Sequence, residues 1–99
     1  MNTILRSDVF DAWLSTLRDA KAKARILARI RAAEFGNFGD WKSLGDGVLE
    51  IRIDVGPGYR VYYSRRGKKV YLLLVGGDKS SQKRDIDDAV QMVRALKKE

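Results

Sequence analysis

Val9, Phe10, Trp13, Leu14 and Leu17 fall three and four residues apart, the spacing of one helix face. Ser7-Asp8 just before them offers an N-cap, so the spacing predicts a helix from about Asp8 to Leu17. A second apolar stripe, Ala22, Ile26, Ile30 and Ala33 with Leu27 beside it, predicts a helix over Ala20 to Glu34, with Gly36 as its stop. The short join around Arg18-Asp19 suits an antiparallel helical hairpin. From Val48 the period changes to two. Leu49, Ile51 and Ile53 alternate with Glu50, Arg52 and Asp54, and Tyr59 to Ser64 alternates in the same way, so both segments read as half-buried strands. Val55-Gly56-Pro57-Gly58 turns between them, and Arg65 to Lys68 turns again. Lys69 to Val75 is apolar on both faces and belongs inside the sheet. Thr3 to Arg6 is a short candidate strand, and the Gly- and Asp-rich stretch from Gly36 to Gly47 reads as a loop.

After Gly76-Gly77-Asp78-Lys79-Ser80, the positions Ile86, Ala89, Val90, Val93 and Leu96 predict a last helix from Ser81 to Lys97, with Ser80 or Ser81 as its cap. Asp85, Asp87 and Asp88 near its start and Lys97 and Lys98 at its end complement the helix dipole. The expected architecture is α+β. A small antiparallel sheet, a three-stranded meander at its heart, carries the helical hairpin as one layer, and the C-terminal helix follows. At 99 residues the chain is expected to form one domain, residues 1–99. No run is apolar and long enough for a signal sequence or a membrane span. The expectation is a cytoplasmic protein with no membrane partner.

Composition narrows the chemistry. Cysteine and histidine are both absent. This excludes disulfides, thiolate catalysis, cysteine-based zinc sites and serine–histidine triads. Any acid–base work falls to Lys, Arg, Tyr, Asp or Glu. Twenty Lys and Arg against thirteen Asp and Glu give a net charge of +7, which favours a polyanionic partner. The Gly76–Ser81 stretch lacks the spacing of a nucleotide-hydrolysing phosphate loop, though Lys79 beside a helix start can hold an anion. Neither a metal nor a cofactor is expected. If Leu49, Ile51, Ile53, Tyr59, Val61 and Tyr63 face the helices, then Glu50, Arg52, Asp54, Arg60 and Tyr62 share the opposite, open face. Two arginines beside a tyrosine suit phosphate binding and base stacking. Arginines on a solvated face, paired with Glu50 and Asp54, fit the same pattern. Arg18, Lys21, Arg25 and Arg29 recur at helical spacing as a second basic stripe, the usual look of a solvated helix face.

Several motifs in order resemble one family. They are Trp13-Leu14, Ala24-Arg25-Ile26 with Arg29-Ile30, Gly36-Asn37-Phe38-Gly39-Asp40, and Lys42 with Gly47-Val48. Glu50-Ile51-Arg52-Ile53, Gly56-Pro57-Gly58-Tyr59-Arg60-Val61-Tyr62-Tyr63, Leu72-Leu73-Leu74 and Gly76-Gly77-Asp78-Lys79 with Gln82 complete the set. From about Phe10 onward the chain resembles the addiction-module killer proteins. These are HigB-like toxins of the RelE/ParE superfamily, from type II toxin–antitoxin systems. The resemblance implies a metal-independent, ribosome-associated endoribonuclease, an mRNA interferase that inhibits translation. The alternative it implies is a non-catalytic, ParE-like inhibitor of DNA gyrase. It also implies a cognate antitoxin, commonly a helix-turn-helix protein encoded by an adjacent gene. The residues that match are Arg52 and Arg60 as phosphate and transition-state clamps, Lys42 or Lys79 for proton transfer or electrostatic support, and Tyr62 to stack a base or orient the substrate. The sequence departs from superfamily ribonucleases at its end. It has Lys79 and Gln82 where an Arg, Tyr or His set is common, and a long final helix in place of a short tail.

Overall fold

The computed structural model describes residues 1–98. Its elements run β1 (Thr3–Arg6), α1 (Asp8–Thr16), α2 (Ala20–Glu34), β2 (Trp41–Gly45), β3 (Val48–Ile53), β4 (Tyr59–Gly67) and β5 (Val70–Asp78). A 3₁₀ turn (Lys79–Ser81) then leads into α3 (Gln82–Lys97). Ser7 caps α1 by accepting from the Phe10 N–H, and Asp19 caps α2 by accepting from the Lys21 and Ala22 N–H groups. The sheet has five strands in the order β1-β5-β4-β3-β2. The α+β class holds, but the sheet is mixed, because β1 pairs in parallel with β5 while the other pairs are antiparallel. The expected loop before Val48 contains β2, an edge strand folded back antiparallel on β3. Its side chains are almost all exposed, so no apolar alternation marked it.

Helices cover both faces of the sheet. Phe10, Leu14, Ala22, Ile26 and Ile30 from α1 and α2 pack on Ile51, Ile53, Tyr59, Val61, Tyr63 and Leu73, the strand face that the alternation predicts. On the other face, Ala89 and Val93 of α3 pack with Val48, Tyr62, Leu74 and Val75. The expectation of a single helical layer is therefore corrected. Because β5 is apolar on both faces, it needs a helix on each.

Gly76-Gly77-Asp78 is strand, not a loop, and both layers press on its glycines. A Cβ at Gly76 would sit 2.1 Å from the Trp13 ring, and one at Gly77 would sit 1.8 Å from an Asp85 carboxylate oxygen. Ser81 stands at the N-cap of α3, as expected, but makes no side-chain capping bond there; Asp78 caps the preceding 3₁₀ turn, accepting from the Ser80 N–H, and its side chain forms a capping box with Ser81. The Ser80 hydroxyl and backbone hold the Asp78 carboxyl below the usual carboxylate range against the opposing effect of burial. Asp85 is buried, not merely a dipole charge, and accepts from the Ser81 hydroxyl. Gly76→Ala is expected to cost about 1–3 kcal/mol, since a small-to-large change here must push an indole out of packed surroundings. Chemical denaturation of the two proteins checks this.

The buried phenols set an alkaline limit. Burial, with a smaller effect of Tyr71, raises Tyr63 from 10.0 to about 12. Burial, then Glu50, pushes Tyr62 up further, against the opposing pull of Arg60. A raised folded pKa means the neutral phenol is favoured in the native state. Its stabilisation is fully present below the unfolded value and fades as pH rises towards the folded one. Stability is expected to fall between about pH 10 and 12. Tyrosinate absorbance should rise together with loss of the circular dichroism signal.

Candidate functional site

The site is built where β3 ends and β4 begins. Arg52 and Arg60 are direct cross-strand partners in the β3–β4 pairing. Like charges placed opposite one another repel, and each guanidinium here has its own carboxylate. Arg52 Nη2 donates to Asp40 Oδ1 at 3.1 Å, with side chains 46% and 58% exposed. Arg60 Nη1 donates to Glu50 Oε1 at 3.1 Å, with side chains 11% and 0% exposed. One arginine is thus free to exchange its partner for a ligand. The other is fixed by a carboxylate sealed under α3. Around the pair lies a cleft of about 270 Å³ lined by Asp40, Arg52, Ile53, Asp54, Gly58, Tyr59, Arg60 and Lys79. The Lys79 stem lies along Gly58, where an added Cβ would come within 3.2 Å of it. Among the described residues no carboxylate forms an ion pair with Lys79.

Three of the five residues singled out from sequence therefore converge: Arg52, Arg60 and Lys79. Two do not. Lys42 is exposed on edge strand β2, opposite Glu50 in register and away from the cleft lining. Tyr62 is corrected from the open face to the core. The alternation assigned its side of the sheet correctly, but α3 covers that side and leaves the ring 0% exposed. A base cannot stack on it in this conformation. Burial has left Tyr62 Oη, Glu50 Oε2 and Arg60 Nε without hydrogen-bond partners in the protein. Glu50, expected on a solvated face, is fully buried for the same reason.

Sequence reasoning passed over the residues that shape the cleft wall. Arg29 leaves the solvated stripe and reaches across to the sheet. Its Nη1 donates to the Arg52 carbonyl at 3.0 Å and its Nη2 to the Phe38 carbonyl at 3.3 Å. Gly39 has φ +63°, the left-handed region that favours glycine, and a Cβ there would sit 2.5 Å from Arg29 Nη2 and displace the guanidinium. The Arg52 N–H donates to the Asp40 carbonyl at 2.9 Å. Together these bonds deliver Asp40 to Arg52. The Gly36–Asp40 motif was the available signal, since a loop with two glycines marks a constrained path. Asp54 and Tyr59 also line the cleft.

Chemically, the cleft sets two guanidinium groups and an ammonium beside carboxylates at its rim. A phosphate entering the cleft would meet a preorganised guanidinium, a second that can release Asp40, and an ammonium. Asp40 and Asp54 supply proton acceptors within the same cleft. Among the described residues no helix is long and apolar enough to cross a membrane.

Comparison with known proteins places this arrangement in context. An uncharacterized protein of Haemophilus influenzae is 52% identical over 87 residues, covering 88% of each chain. The model of the phage derived protein Gp49-like family (DUF891) matches residues 12–97, a span that contains both arginines, Lys79 and the whole of α3. The chain belongs to this Gp49-like family, a family of RelE/HigB-type toxins.

Proposed function

We propose that the protein is the toxin of a type II toxin–antitoxin system acting as a metal-independent, ribosome-associated endoribonuclease. The toxin class and the need for an antitoxin partner follow from the family. The chemical step is proposed from the cleft. The observation that carries it is the convergence of Arg52, Arg60 and Lys79 on one cleft that also holds two carboxylates.

RNA offers its own nucleophile. The 2′-hydroxyl loses a proton to a base and its oxygen attacks the adjacent phosphorus. The P–O5′ bond then breaks, and the leaving oxygen takes up a proton. The products are a 2′,3′-cyclic phosphate and a 5′-hydroxyl. Charge accumulates on the phosphorane oxygens, so fixed guanidinium donors stabilise the transition state more than the ground state. In this reading Arg60 is the fixed clamp and Arg52 the exchangeable one. Lys79 adds charge and can protonate the leaving oxygen, while Asp54 or the Asp40 released by Arg52 accepts the first proton. Lys42, outside the cleft, contributes at most to the long-range field that draws in a polyanion. Tyr62, buried beneath α3, does not stack a base.

Induced expression with RNA 5′-end mapping, run beside a DNA gyrase supercoiling assay, tests the reading. New messenger RNA ends with unimpaired supercoiling support it. Blocked supercoiling with intact messenger RNA would instead favour the gyrase alternative.

A further inference from the structure

A second concave surface lies on the α1/α2 face of the sheet, beyond the reach of those helices. It is a groove of about 380 Å³ lined by Phe38, Trp41, Leu49, Tyr63, Arg65 and Tyr71, with Gly36 at its edge. Its aromatic walls brace one another. Phe38 stacks on Tyr63 with ring centroids 5.4 Å apart and planes within 5°, and Tyr71 leans on both. Trp41 is the exception. It is 51% exposed, and none of the aromatic pairs among the described residues includes it. Arg65 is held in place by bonds from its guanidinium to the Gly67 and Lys68 carbonyls. It stands at the head of an exposed basic turn with Arg66, Lys68 and Lys69. No acidic side chain lines the groove.

An apolar partner alone would not need Arg65 in the lining or the exposed basic turn that continues from it. A polyanion with flat rings would use both features. The groove also shares a segment with the cleft. Phe38 and Trp41 line the groove, while Asp40 between them lines the cleft. A strand held by its phosphate at Arg52 thus finds an aromatic surface next along the chain.

We infer that this groove is a nucleobase-stacking site for single-stranded RNA, in which Trp41 carries a base and the Arg65–Lys69 turn carries the flanking phosphates. The inference rests on the ribonuclease reading for where the strand comes from. Its test measures binding, so the two can fail separately.

The probe is a short, fluorescein-labelled 2′-O-methyl oligoribonucleotide, which has no free 2′-hydroxyl and cannot be cut by the proposed route. Its anisotropy is followed with wild type, Trp41→Ala and Trp41→Phe. Circular dichroism verifies the fold of each, and the exposed position of Trp41 lets all three fold. The expected result is binding that weakens with salt, falls about tenfold in Trp41→Ala, and is retained in Trp41→Phe. Equal affinity of wild type and Trp41→Ala overturns the inference, as does a wild type that does not bind. A Trp41-dependent change in sedimentation without any change in oligonucleotide affinity also overturns it, and assigns the groove to a second copy of the chain. Trp41-dependent binding by a protein that cuts no RNA keeps the groove and removes the ribonuclease reading.

Discussion

Arg52→Ala is expected to slow RNA cleavage on the order of 100-fold or more and to relieve toxicity while leaving the fold intact. Both halves of this expectation come from the geometry. The Arg52–Asp40 pair is half exposed on each side, and such pairs contribute about 0–1 kcal/mol. The cleft wall does not depend on it, because the Arg29 bonds to the Arg52 and Phe38 carbonyls are made to the main chain and survive the substitution. Under the proposed mechanism the same guanidinium faces a charged phosphorane in the transition state, where one donor is worth far more than in an exposed ion pair. Cleavage rates measured beside thermal unfolding check both halves at once.

Arg60→Ala is expected to behave differently, losing stability as well as activity. Glu50 is completely enclosed, and Arg60 is its ion-pair partner. Removing one member of a buried pair strands the other charge, at a cost of about 3–5 kcal/mol. That is a large share of the roughly 5–15 kcal/mol that holds a typical domain together. Glu50→Ala should destabilise less, because Arg60 is 11% exposed and can turn towards water. Replacing both residues by methionine should recover much of the loss without recovering cleavage, since a well-packed apolar pair often matches a buried ion pair in stability. Denaturant titration of the two single variants and the double variant measures the coupling directly. Loss of toxicity in Arg60→Ala alone therefore says little about chemistry, whereas the same loss in folded Arg52→Ala says a great deal.

The contrast between the two arginines also shows where reading the sequence stops. The period of two put Arg52 and Arg60 on one side of adjacent strands, and they are direct partners. It could not distinguish their surroundings, because alternation reports the side of a sheet and not what covers it. The clue to the cover lay elsewhere. Val70 to Val75 is apolar on both faces, and the stripe of Ile86, Ala89, Val90 and Val93 needed a surface to bury. Together they require α3 on the face that Tyr62 and Glu50 share. Edge strand β2 left no such trace, as Trp41 to Gly45 is exposed apart from half-buried Leu44. It is fixed by pairing with β3 rather than by burial. Arg29 was hidden for a related reason. Helical spacing placed it with Arg18, Lys21 and Arg25, and only the folded chain brings its guanidinium to the Phe38 carbonyl of the loop and the Arg52 carbonyl of β3.

The products of the reaction test the central claim most directly. Purified toxin is mixed with messenger RNA on programmed ribosomes, and the new RNA ends are identified. Attack by the 2′-hydroxyl in the cleft of Arg52, Arg60 and Lys79 predicts 2′,3′-cyclic phosphate and 5′-hydroxyl ends, formed on the order of 100-fold more slowly by folded Arg52→Ala. Ends carrying a 3′-hydroxyl and a 5′-phosphate, or an Arg52→Ala protein that cuts as fast as wild type, would contradict it.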